Sequence, residues 1–225
     1  MKDVISFLAH LQVNNDREWF NAHKDDYRAA QARFNELVEA VIAGIAGFDE
    51  SVSGLQVKDC TYRIYRDTRF SNDKRPYKCH MGAFICPGGK KSGMAGYYFQ
   101  VGPDDEGYDA GNMLASGHYC IEPAALRVLR EDIAYGGGDF DAAVKAAKGF
   151  VLDDESKLKR VPNGYPKDSE WADYLKFRTY CLVKSPGSDY ALRPGLLGRV
   201  LEDFRATKPF LDIVNRAIAY SRNPD

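Results

Sequence analysis

Along the first fifty positions apolar residues recur at helical spacing. Val4, Phe7, Leu8 and Leu11 share one side of a helix over residues 3–11, with Asp3 placed to cap it. After a break at Val13-Asn14, Asn14 or Asn15 opens a second helix. Glu18, three residues beyond Asn15, makes a capping-box arrangement with Asn in the place usually held by Ser or Thr. The stripe Phe20, Tyr27, Phe34, Val38, Val41 and Ile45 carries this helix to about Ala46, where Gly44 and Gly47 mark its end.

From Val57 the period drops to two. Over residues 60–66, Tyr62, Ile64 and Arg66 alternate with Thr61, Arg63 and Tyr65, as a strand requires. Residues 70–76 are rich in turn formers. A second strand follows over 77–86, a third over 97–101, and a glycine-interrupted fourth with a bulge over 108–119. Glu122-Pro123 then opens a helix that Gly136-Gly137-Gly138 stops, and a shorter helix covers 140–148. A Pro/Gly-punctuated loop (158–166), a helical turn (169–175) and an alternating strand (177–184) lead to two closing helices, 193–204 and 208–220. Internal repeats and low-complexity linkers are absent. The pattern therefore predicts one domain over 1–225, helical in 1–50, with a sheet core in 55–120 and helices with a further strand in 121–225. The fold class is α+β, a mainly antiparallel sheet of about four or five strands packed by N-terminal and C-terminal helices.

Composition narrows the function classes. With 44% hydrophobic residues the chain can build an ordinary core, and 31 Lys+Arg against 32 Asp+Glu leaves no chain-wide field for nucleic acid. No apolar run approaches the roughly 18 residues of a membrane span, and the N-terminus lacks the features of a signal peptide. Five cysteines, odd in number and without a C-x-x-C pair, fit reduced thiols in the cytoplasm rather than a disulfide framework.

Against this neutral background one stretch stands out, residues 63–82, RIYRDTRFSNDKRPYKCHMG. It holds six basic residues, two acids and His80. Guanidinium forks, ammonium groups and tyrosine hydroxyls are the chemistry that recognises phosphate or carboxylate. The candidate ligand-binding residues are Arg63, Tyr65, Arg66, Arg69, Lys74, Tyr77 and Lys78, and the expected ligand is an anionic, phosphate-bearing small molecule. His80, the nearby group that titrates around neutrality, is the candidate general acid or base, with Asp67 as its partner. On an extended chain Arg63 and Arg69 share a face and Arg66 lies opposite, so convergence of the cations depends on the turn at 71–76. The alternative is a non-catalytic protein-interaction module whose arginines pair with Asp67, Asp73 and the acids of the first helices.

Other chemistries find less support. Cys79 and His80 point to opposite faces of a strand, and His10, His23 and His118 are scattered, so no metal site is expected. Residues 88–93 combine glycine and lysine without phosphate-loop spacing, there is no nucleophile elbow, and no cofactor is expected. The central aromatics suit base stacking, but half of them must face the core, which leaves single-stranded nucleic acid as the weaker partner.

Several motifs, taken together, resemble a family: FLAHLQVNNDREWFNAHKDDY at 7–27, the basic stretch itself, GYYFQVGP at 96–103, EPAALRVLREDI at 122–133 and LKRVPNGYPKD at 158–168. They are similar to a bacterial family, also found in some fungi, known only as a domain of unknown function. The resemblance implies a single domain over nearly the whole chain and points to the same basic stretch, without implying an activity. Where that family usually has a Gly-Gly-aromatic stretch before the proline-containing helix, this chain reads Ala115-Ser116-Gly117-His118-Tyr119.

Overall fold

In the computed structural model, residues 1–103 and 111–223 are described. Three helices open the chain: α1 (Lys2–Val13), α2 (Arg17–Ala22) and α3 (Lys24–Ala46). The single helix expected from Asn14 or Asn15 to Ala46 is thus divided. At the break, His23 leaves helical geometry and its ring bonds the Trp19 carbonyl at 2.8 Å. The cap is Asp16, whose carboxylate accepts the Trp19 N–H at 2.9 Å. An asparagine one position earlier lies a residue too far from that donor. Asn15 instead reaches across the fold, its amide donating to the Tyr77 carbonyl at 3.0 Å and its carbonyl accepting the Tyr77 N–H at 3.1 Å.

Five antiparallel strands follow: β1 (Met81–Ile85), β2 (Gly96–Val101), β3 (Met113–His118), β4 (Val151–Leu152) and β5 (Tyr180–Lys184), in the order β1-β2-β3-β5-β4. Side chains alternate between faces. One set, with Ile85, Tyr97, Phe99, Leu114 and Leu182, is buried against helices. Phe34 of α3 meets Phe99 at 5.5 Å between ring centroids. Phe204, on a long C-terminal helix α7 (Leu196–Arg222), meets Tyr97 at 5.2 Å. A four-residue helix α4 (Val57–Cys60) precedes β1, and α5 (Pro123–Gly136) and α6 (Gly138–Ala146) lie between β3 and β4. The second set of sheet side chains faces away from these helices and is mostly small.

Three expectations need correction. Residues 60–66 are not a strand of the sheet. Cys60 ends α4, and residues 61–66 run extended beside residues 76–83, bridging at Thr61–Ala83 and Tyr65–Tyr77. Four residues separate the bridges on one side and six on the other, so the register slips and no continuous ladder forms. For the same reason the strand expected from residue 77 starts only at Met81. The two closing helices are one, α7, with Pro209 inside it. A proline there costs about 3 kcal/mol, but buried Phe204, Thr207, Phe210 and Leu211 flank it and hold both halves against the core. The Thr207 hydroxyl also lies 2.7 Å from that of Ser116 on β3. Of the bulged strand expected at 108–119, residues 108–110 lie outside the described residues, and the remainder contains β3. The two-residue β4 is too short to show alternation.

Polar ties complete the packing. Tyr97 donates to Asp49 at 2.8 Å inside the core. Asn215 of α7 clamps the backbone of buried Ala95, accepting its N–H at 2.8 Å and donating to its carbonyl at 3.1 Å. Removing the clamp strands two backbone groups away from water. Asn215→Ala should therefore lower stability by about 1–3 kcal/mol in urea titration. A change below a few tenths of a kcal/mol would mean that water replaces both bonds.

Candidate functional site

The sheet face turned away from the helices carries a trough of ≈ 530 Å³. Strand register orders its floor. A central row runs Phe84, Tyr98, Ala115, Val183 across β1, β2, β3 and β5, and a second row runs Gly96, Gly117, Cys181. Small residues give the trough its depth. At Gly82 a Cβ would stand 2.6 Å from the Tyr98 hydroxyl, so the missing side chain lets the Tyr98 ring lie over β1 and donate to Gln100 at 2.7 Å. Gly117 has φ +141° and its Cβ would meet the Tyr180 carbonyl oxygen at 2.2 Å, so glycine is required there for β3 to pair with β5.

Of the residues expected to form a site, Arg63, Lys78 and His80 line this trough. Arg63 is exposed and makes no hydrogen bond or ion pair among the described residues. The Lys78 ammonium lies 5.3 Å from the centre of the Tyr62 ring. His80 is buried. The other candidates build the loop over 67–75 and its base. Arg66 pairs with Asp73 at 2.5 Å, and Arg75 holds the same carboxylate at 2.9 Å. Arg69 pairs with Asp67 at 2.5 Å, and Lys74 donates to the Thr68 carbonyl at 3.0 Å. Tyr77 is buried in a stack on Phe20 with 4.0 Å between ring centroids, and Tyr65 lies against Tyr77. The basic stretch is therefore divided: part of it faces the trough and part neutralises itself.

Residues 3–212 match the family of conserved hypothetical proteins DUF2461. The chain belongs to that family. No curated protein and no solved structure matched it. Among the described residues of this DUF2461 chain, no helix is long and apolar enough to cross a membrane.

Sequence reasoning missed most of the trough, including Tyr62, Tyr98, Lys90, His118 and Asp153. The signal that pointed to them was the run of glycine and alanine at alternate positions of three strands, Gly82, Gly96, Ala115 and Gly117. Their chemistry is specific. Burial, with Arg222 nearby, holds His118 below its ordinary value although Glu122 opposes it, so the imidazole is neutral near pH 7. Its Nδ1 accepts the Cys120 N–H at 3.2 Å, which leaves the proton on Nε2 as a donor. Burial and the neighbouring Tyr119 push Tyr62 up to about 12, so its hydroxyl also stays protonated. Burial likewise pushes the Cys181 thiol up to about 12, too high for a nucleophile near neutrality. Lys90 donates to the Lys58 carbonyl at 2.6 Å, which turns one cation of the trough toward backbone.

Hydrogen bonds and charge from Arg69 hold the Asp67 carboxyl down at about 2, and those from Arg75 and Arg66 hold Asp73 lower still. A carboxylate depressed in the folded state stabilises above its unfolded value near 4 and loses that contribution as pH falls through the folded value. The loop over 67–75 should therefore loosen between about pH 4 and pH 2. Backbone amide exchange of Arg69 and Arg75, which bond these carboxylates, should accelerate there beyond the intrinsic pH trend. Unchanged protection would show that the ion pairs do not order the loop.

Proposed function

We propose that this protein binds an anionic, phosphate-bearing small molecule in the trough on the open face of the sheet. The observation that carries the reading is the division of the basic stretch. Arg66, Arg69 and Arg75 are answered by Asp73 and Asp67. Arg63, which makes no hydrogen bond or ion pair among the described residues, lines a concave site together with Lys78 and His80. An exposed guanidinium, an ammonium and the protonated Tyr62 hydroxyl are a set of donors suited to an oxyanion. Where proton transfer accompanies binding, His80 is the residue assigned to it, since it alone of the basic stretch combines an imidazole with a place in the trough.

A second reading, a non-catalytic interaction module, draws on the same loop. Phe70 is 95% exposed at its tip, with the Arg69 guanidinium 5.8 Å from the ring centre. On that reading the ion pairs hold Phe70 out for a protein partner, and no small molecule stabilises the fold.

Calorimetric titration with inorganic phosphate and pyrophosphate separates the two. Replacing Arg63 and Lys78 by alanine should weaken anion binding by at least about tenfold while the protein stays folded, since each removes a charge-assisted bond. Arg66→Ala should leave anion affinity within about twofold and cost about 1 kcal/mol of stability or less, the value of a partly exposed pair. Unchanged affinity in a folded Arg63→Ala/Lys78→Ala protein would overturn the anion reading.

A further inference from the structure

Charge and polarity are not spread evenly along the trough. At one end lie Arg63, Lys78 and His80, beside the Gly82 position of β1. The middle is apolar and flat, floored by Ala115 and Val183 and flanked by the rings of Phe84 and Tyr98. Tyr62 meets Tyr98 edge-on with 6.4 Å between centroids, so the two rings touch and wall one side of a slot floored by small side chains. At the far end, past Gly96 and Gly117, stands Asp153, the one carboxylate lining the trough among the described residues. Its backbone N–H donates to Cys181 at 2.9 Å, which fixes it beside that last row. His118 is at the same end, with a Nε2–H donor. Gly96 and Gln100, which mark the two end rows on β2, are four residues apart, so the ends are roughly 13 Å apart at the rise of a strand.

A cationic end, a thin apolar slot and a carboxylate-plus-imidazole end describe a ligand with three parts. We infer that the trough takes a phosphate monoester of a flat, amino-bearing ring system, of the nucleoside monophosphate class. The phosphate lies at Arg63 and Lys78, the ring lies over Ala115 beside Tyr98, and an exocyclic amino group donates to Asp153. The span from phosphate to the far edge of a nucleobase matches the length of the trough. A phosphorylated sugar that carries no base leaves the slot and Asp153 unused. This inference rests on the anion reading of the same site and adds what the rest of the molecule must be.

The test titrates the full chain, by calorimetry, with AMP, CMP, adenosine, ribose 5-phosphate and inorganic phosphate. Stacking and the Asp153 contact should make at least one nucleoside monophosphate bind roughly tenfold or more tighter than ribose 5-phosphate. Ala115→Leu, which fills the slot without touching the cations, should erase that difference and leave ribose 5-phosphate binding intact. Asp153→Asn provides a second variant at the trough rim that does not alter the floor, and it should reduce the preference by a measurable factor. Equal affinity for ribose 5-phosphate and for both nucleotides would overturn this inference while the anion reading stands. Adenosine binding as tightly as AMP would remove the phosphate and overturn both. No binding by any phosphate compound would also overturn both.

Discussion

A β-strand must send consecutive side chains to opposite sides, and everything in this fold answers to that constraint. On one side of the sheet the strands place Tyr97, Phe99, Leu114 and Leu182, large enough to fill the space beneath α3 and α7. On the other side the same strands place Gly82, Gly96, Ala115 and Gly117. Burial of the first set is what stabilises the sheet, and the smallness of the second is what leaves a trough. A single-residue slip of register would exchange the two sets, exposing the core aromatics and filling the cavity. Register is therefore the property on which both stability and the proposed site depend.

Devices that pin the register come from far along the chain. Asn15 and Asn215 each offer a side-chain amide that bonds both the N–H and the carbonyl of one residue, Tyr77 before β1 and Ala95 before β2. A side-chain amide used in this way imitates a neighbouring strand at positions where none exists. Both clamps sit at strand entrances, where a slip would begin. Ser116 and Thr207 make a third contact across the core, between β3 and the middle of α7, two residues before Pro209.

Within the basic stretch, electrostatics divides labour over a short length of chain. Asp67 and Asp73 each hold an arginine two residues on, a local turn geometry that needs nothing from the rest of the fold. Arg63 and Lys78 stand at the two roots of the loop, where the extended segment over 61–66 crosses beside residues 76–83. The loop is closed by its own charges, and its roots line the trough. The slipped pairing that denies 61–66 strand status also shortens β1.

Local pattern in the sequence was sufficient for the helical start, four of the five strands, α5, α6 and the α+β class, because helix and strand periods are properties of neighbouring residues. It was also sufficient to single out residues 63–82 as the one basic concentration. Local pattern was insufficient wherever a distant partner decided the outcome. Proline at 209 reads as a helix end until the packing of Phe204 and Phe210 is counted. Asn15 reads as a cap until Tyr77 arrives from 62 residues away. Alternation puts Arg63 and Arg66 on opposite faces of an extended chain, but only the fold shows that Asp73 meets Arg66 and that Arg63 lines the trough. His118 and Asp153 enter the site only because β3, β4 and β5 lie side by side. The sequence by itself determined the elements and the chemistry on offer. Only the tertiary structure decided which side chains meet at the trough, because that depends on distances between residues far apart in the chain.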